Sequence, residues 1–200
     1  MLIALDEKMK YVLDIVERIA KTSSIVLIKG EEGVGKQTLA RFIHENSARK
    51  NGPFVQLDIG GIPSSLIEEE ILGHERGAVT NAKTSRSGAL SLADKGTLLI
   101  TNIQDIPLER QSLLLRFLQE HEVLPIGASH PHTVDVRVIA TAPSNLEQYV
   151  QESRFRTDLY YRLNVIPIEI PPLRDRPSDI IPLAEMFIGK FSSDNNSYPK

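Results

Sequence analysis

The sequence predicts an α/β fold, a parallel sheet with helices on its faces, and three observations carry that prediction. A glycine-rich turn, Gly30-Glu31-Glu32-Gly33-Val34-Gly35-Lys36, joins the apolar run Ile25–Ile28 to a helical segment beginning near Gln37. Strand-like and helix-like patterns alternate along the chain, the rhythm of parallel βαβ units. The strand candidates Gly96–Asn102 and Val136–Thr141 are almost continuously apolar, as strands covered on both faces must be.

The elements follow in order. Asp6 to about Thr22 has apolar residues at Val12, Leu13, Ile15, Val16 and Ile19, a helical stripe facing the sheet. Ser24–Lys29 is the first strand, and Gln37–Asn46, with Leu39, Ala40, Phe42 and Ile43, is a buried helix. Phe54–Ile59 is the next strand, and Gly60–Ser65 turns the chain into an acidic helix, Leu66 to Leu72, capped by Ser64 or Ser65. Gly73 to Ser87 has neither period and predicts a long projecting loop. After the strand at Gly96 come a helix over Leu108–Glu120, a turn-rich stretch around Gly127, the strand Val136–Thr141 and short helices at Asn145–Glu152 and Phe155–Leu163. Val165–Ile170 is a last strand, Pro171-Pro172 breaks the pattern, and a helix starts near Ser178.

The spacing Gly-x4-Gly-Lys reads as a phosphate-binding loop. Backbone N–H groups wrap a polyphosphate, the helix start adds partial positive charge, and Lys36 reaches the terminal phosphates. Gln37 follows the lysine where a Mg²⁺-holding Ser or Thr is usual, with Thr38 next. The competing reading is a strand-to-helix turn that binds nothing.

Two hundred residues, 41% hydrophobic, suffice for a sizeable core. A net charge of −3 gives this stretch no electrostatic reason to grip nucleic acid by itself, so any DNA contact is expected elsewhere in a longer protein. No apolar run is long enough to span a bilayer and no signal-peptide layout opens the chain, which predicts no membrane and a cytoplasmic location. Cysteine is absent, excluding disulfides, and the five histidines have no metal-ligand spacing, so no metal site is predicted from them.

Taken with the loop at Gly30–Lys36, the stretch Gly73-His74-Glu75-Arg76-Gly77-Ala78-Val79-Thr80-Asn81-Ala82 and the stretch Phe155–Val165 with Pro171–Arg176 resemble the AAA+ central domain of sigma-54 activators, the bacterial enhancer-binding proteins. The resemblance runs from about Leu2 to Phe191. It implies an AAA+ core over residues 1–172, with 173–200 the linker and first part of a helical lid. It also implies ATP or ADP as ligand, self-assembly as a dimer or hexameric ring, RNA polymerase holoenzyme as partner, DNA contact through a C-terminal domain absent from this chain, and a response-regulator type of two-component control. Arg156 and Arg162 match the arginine fingers that act on a neighbouring subunit's nucleotide, although pairing with Asp158 or Glu169 would also account for them.

Departures from the family cluster at the chemistry. Its second strand ends Asp-Glu, one placing Mg²⁺ and the other orienting water, whereas this chain has Thr101-Asn102. Its switch Asn is Asp58 here, and its sensor strand, ending Thr-Asn, is matched to Thr141-Ala142. In the loop Gly77–Ala82 that contacts sigma-54, Val79 replaces a Phe and Asn81 a Gly. These predict a pseudo-ATPase that binds nucleotide with Mg²⁺ weak or absent, since loss of a placed base alone costs ~10²–10⁴ in rate. One rival is a working sigma-54-remodelling ATPase using Asp105 or Asp58. Another is a cyclic di-GMP receptor like the flagellar and biofilm regulators of this family, that of vibrios included, with Arg41 contacting the dinucleotide unless it merely pairs with Glu45.

Overall fold

The computed structural model describes residues 2–78 and 84–195. Its helices are α1 (Glu7–Ala20), α2 (Lys36–Glu45), α3 (Ile67–Leu72), α4 (Ala89–Leu92), α5 (Gln111–Glu120), α6 (Leu146–Gln151), α7 (Thr157–Leu163) and α8 (Ile180–Asn195). Its strands are β1 (Val26–Lys29), β2 (Phe54–Asp58), β3 (Gly73–His74), β4 (Arg86–Ser87), β5 (Thr97–Thr101), β6 (Glu122–Val123), β7 (His132–Thr133), β8 (Arg137–Ala142) and β9 (Ile166–Glu169). Five of them form one sheet in the order β2-β5-β8-β1-β9, every neighbouring pair parallel.

The two-residue period of a strand divides the core into two layers. Leu27, Leu98, Ile100, Val138 and Ala140 face α3, α4, α5 and α7 on one side. Val26, Ile28, Leu99 and Ile139 face α1 and α2 on the other. Each Val, Leu or Ile among them, removed from water, contributes about 1.5–3 kcal/mol, and β5 and β8 are buried along their length, with an apolar middle.

α1 is fixed at both ends. Asp6 accepts a hydrogen bond from the Lys8 N–H at its start. At its end the fully buried Arg137 guanidinium donates to the Ala20 and Ile19 carbonyls at 2.7 and 2.8 Å, where the helix dipole favours a cation. Burial pulls the Arg137 pKa down to about 10.

Three expectations need correction. Gly73 to Ser87 is not wholly loop: Gly73 pairs with Ser87 and His74 with Arg86, antiparallel, at its base. The stems approach so closely that a Cβ at Gly73 would sit 2.3 Å from the Arg86 carbonyl oxygen, so glycine is required. A second small hairpin, β6 with β7, occupies the turn-rich stretch around Gly127. Several helices also begin later than their periodicity indicates, at Ile67, Gln111 and Ile180. Pro63, Pro107 and Pro177 stand in tight turns that take up the preceding residues.

Because the sheet is parallel, the carboxyl ends of its strands lie along one edge, where α/β proteins place their ligands. Lys29, Asp58, Thr101 and Ala142 are the last residues of β1, β2, β5 and β8.

Candidate nucleotide site

The turn between β1 and α2 has the shape of an anion cradle. Gly33 and Gly35 adopt φ of +77° and +101°, conformations that side-chain-bearing residues rarely take. α2 has no side-chain cap, so the N–H groups of Lys36, Gln37 and Thr38 in its first turn are open for an acceptor. The Lys36 ammonium folds across the loop and donates to the carbonyls of Gly30 and Glu31, both at 2.8 Å. Burial lowers its pKa, opposed by the charge of Glu32. Glu31 itself turns to Arg174, which holds it bidentately at 2.5 and 2.8 Å and keeps its pKa below the ordinary value.

Beside the loop is an apolar cavity of about 400 Å³ lined by Leu2, Ile3, Val34, Leu173, Ile180 and Phe187, among others. Arg176 and Asp179 shape it. Arg176, buried, donates to the Val34 carbonyl at 2.8 Å and lies 3.7 Å from the fully buried Asp179, which accepts from the N–H groups of Leu5 and Asp6 at 2.6 and 2.9 Å. Two segments 174 residues apart thus close one pocket. In the sequence Arg176 stands only within a motif, and nothing singles out Ile3 or Asp179. Nothing local distinguishes an aspartate that will cap a distant backbone from a solvated one.

The strand tips bring Asp58, Thr101 and Asn102 together. Asp58 and Thr101 are directly paired across β2 and β5. One oxygen of Asp58 accepts from the Thr101 hydroxyl at 2.8 Å and from the Asn102 amide at 2.9 Å. Asn102 sits at φ +57°, ψ +48°, the left-handed region that Asn tolerates better than other non-glycine residues. The Asn102 N–H in turn donates to the Thr141 hydroxyl at 3.4 Å. Asp105 faces the same Gly60-Gly61 turn: a Cβ built on Gly60 would stand 3.3 Å from one Asp105 oxygen, and one on Gly61 3.7 Å from Asp58. Burial, then the Asp58 charge, raises the Asp105 pKa. Ala142 does not join this group, because its methyl lies in the core.

Arg156 and Arg162 flank α7. The Arg156 guanidinium is half exposed and paired with Asp158 at 2.8 and 3.0 Å. That of Arg162 donates to the Leu118 carbonyl at the end of α5, at 2.5 and 3.1 Å, and forms no pair with Glu169 among the described residues. Arg41 forms no ion pair with Glu45 among the described residues; its guanidinium lies over the Phe54 ring, 4.7 Å from the centroid. Gly77 and Ala78 are placed just beyond β3, and Val79, Thr80, Asn81 and Ala82 lie outside the described residues.

These groups can hold a polyphosphate on open N–H groups and an ammonium, with an apolar base beside it. Thr101 and Gln37 carry neutral side chains. No described helix is long and apolar enough to cross a membrane.

Known proteins share this architecture. The regulatory protein AtoC of Escherichia coli K12 is 49% identical over 178 residues, 89% of this chain and 39% of AtoC. The response regulator protein FleR of Pseudomonas aeruginosa is 44% identical over 97% of the chain and 41% of its own length. A Nif-specific regulatory protein of Bradyrhizobium diazoefficiens is 49% identical over 88% of the chain and 30% of its own length. The chain therefore spans less than half the length of these curated relatives. NtrX from Brucella abortus, solved in complex with ATP, superposes with a TM-score of 0.90 at 35% identity over the whole chain and 45% of NtrX. The yeast Hsp104–ADP complex, at 16% identity and a TM-score of 0.60, shares the fold alone. The sequence pattern of the Sigma-54 interaction domain matches residues 2–169, and the chain belongs to that family of α/β AAA+ domains of bacterial transcriptional activators.

Proposed function

We propose that this chain is a nucleotide-binding regulatory domain whose hydrolytic chemistry has been removed, so that ligand binding and assembly, and not turnover, set its state. The observation that carries the reading is the strand-tip contact. In the family a carboxylate on the second strand meets an amide on its neighbour; here Asp58 carries the carboxylate and Asn102 the amide, with the Thr101 hydroxyl on the same oxygen. The hydrogen bond is kept with its polarity reversed. An amide at 102 cannot take a proton from water, and a hydroxyl at 101 gives Mg²⁺ no charge.

ATP or ADP is the ligand the cradle and cavity fit, and the ATP and ADP complexes of NtrX support the same assignment. Lys36 would release the Gly30 and Glu31 carbonyls and move to the phosphates, the N–H groups of residues 36–38 would hold the oxygens, and the base would enter between Leu2, Ile3 and Phe187. The domain assembles with itself as a dimer or ring, placing Arg156 against a neighbour's nucleotide, and serves a cytoplasmic DNA-binding regulator acting on RNA polymerase. Residues 1–172 form its core and 173–200 begin the lid. The second-messenger reading has no observation in its favour, since Arg41 is engaged by Phe54.

Calorimetry with ATP, together with phosphate release from the full-length protein in the presence of DNA, tests the proposal. Micromolar to millimolar binding lost in Lys36→Ala, without steady-state hydrolysis, is the expected result. Turnover by the wild type at rates of 1 s⁻¹ or more, roughly the range of ordinary enzymes, would overturn it.

A further inference from the structure

Gln111 is fully buried, an unusual place for a side chain with two N–H donors and an acceptor oxygen unless these groups have partners. It opens α5, and its amide nitrogen donates to the carbonyls of Ile106 and Arg154, both at 3.0 Å. Its amide oxygen accepts the Arg156 N–H at 2.7 Å. The three backbone groups come from two segments that share no strand pairing: the turn leaving the β5 tip, four residues after Asn102, and the entry to α7. One side chain therefore stands in for a rung of sheet between them.

Arg156 is the N-cap residue of α7, in extended conformation, with φ −69° and ψ 135°. Its own side chain has no inward anchor, since the guanidinium is half exposed and its partner Asp158 is on the surface. The direction in which that guanidinium projects is thus set by its backbone, and the backbone at that residue is held by Gln111. Phe155, buried beside it, and Arg162, tied to the Leu118 carbonyl at the other end of α5, fix the remainder of the segment to the same helix. Arg162 is latched within its own subunit and Arg156 is presented outward.

We propose that Gln111 is a positioning residue for Arg156: it aims this guanidinium at a neighbouring subunit's nucleotide and ties that aim to the strand tip of its own site. The proposal rests on the assembly reading above. An apolar side chain at 111 would fill the space but leave two carbonyls and one N–H without partners, freeing the 154–156 segment from the turn at 106.

The test is ATP-dependent self-association of the full-length protein, measured by sedimentation velocity in a double-mutant cycle. Gln111→Met is expected to raise the protein concentration needed for assembly about 10-fold, as coupled neighbours do. Nucleotide affinity measured on dilute protomers should change less than about 2-fold, because Gln111 touches no part of the cradle. In an Arg156→Ala background, Gln111→Met should add nothing. An equal loss in both backgrounds, or a parallel loss of protomer nucleotide binding, would show a merely structural role and overturn the proposal. Should Gln111→Met fail to fold, Gln111→Asn, whose shorter amide cannot span all three backbone groups, enters the same cycle with the same criteria. Arg156→Ala alone reads the underlying assumption: if it leaves ATP-dependent assembly unchanged, the action across subunits falls, and the role of Gln111 with it.

Discussion

Restoring the acidic pair, Thr101→Asp with Asn102→Glu, should damage the domain without reviving hydrolysis, and the damage can be estimated. Both substitutions delete donors to Asp58, at 2.8 and 2.9 Å; since Asp58 is exposed, each bond contributes about 1 kcal/mol. Two carboxylates then stand near a third. A like-charged pair at 4 Å costs about 4 kcal/mol at an effective dielectric of 20 and about 1 in water, so ~1–2 kcal/mol is reasonable at this solvated edge. Residue 102 is left-handed at φ +57°, where a glutamate costs about 1 kcal/mol more than asparagine. Together these amount to about 4 kcal/mol, a fall in Tm of roughly 10 °C for a domain of this size. Adding Asp58→Asn should return about half of that loss and, because catalytic groups act as a unit, should raise phosphate release at least ~10-fold over the double mutant. Thermal melts and phosphate release on wild type, double and triple mutants decide it. A double mutant as stable as wild type, or one that hydrolyses ATP while Asp58 remains, would refute the argument that Asp58 now holds the site's carboxylate.

Further outcomes follow from the same geometry. Lys36→Ala should abolish ATP binding in calorimetry, and wild-type affinity should change less than about 10-fold when Mg²⁺ is chelated, since Thr101 offers the metal no charge. Asp105 has a raised pKa, so the folded state binds its proton more tightly than the unfolded chain does, and its ionisation costs stability above the folded pKa. Asp105→Asn should therefore raise Tm by roughly 1–3 °C at pH 7, and the gain should shrink as pH falls through the raised pKa and vanish below the ordinary 3.8. Val79→Phe with Asn81→Gly returns the aromatic and the glycine to the loop that meets sigma-54 in the family. On the proposed reading that ligand binding and not turnover sets the state, these changes should increase capture of sigma-54 in pull-downs without producing open complexes in a purified transcription assay.

The glycine-rich turn between strand and helix and the parallel sheet were legible because each depends on local spacing or on strand continuity, whereas the hydrogen bond that joins Asp58 to Asn102 appears only once the two strand tips are side by side. The contact made at the end of β8 was not legible either. Successive residues of a strand face opposite sides, so a displacement of one residue moves a group from core to edge, and it is the Thr141 hydroxyl, not Ala142, that reaches the β5 tip. Nothing in the sequence around Gln111 or Arg137 singles them out. Their roles exist only once distant carbonyls are folded against them. The antiparallel base at Gly73 and Ser87 was hidden for a related reason: two rungs are too few to leave an alternating pattern.

The clasp of Asp179 on the Leu5 and Asp6 N–H groups has a consequence for how the domain is made. A ribosome adding ~5–20 residues per second exposes the phosphate loop many seconds before residue 179 leaves the exit tunnel. Until then the loop has its glycines and Lys36 but no roof, because Leu173, Arg176 and Ile180 have yet to arrive over Val34. A nascent chain or a prematurely terminated fragment has only the open turn, whereas a finished domain has the roof over it. ATP in the cell would then stabilise only molecules whose synthesis has passed this point, by mass action on the closed form. Proteases would find the unfinished ones unprotected.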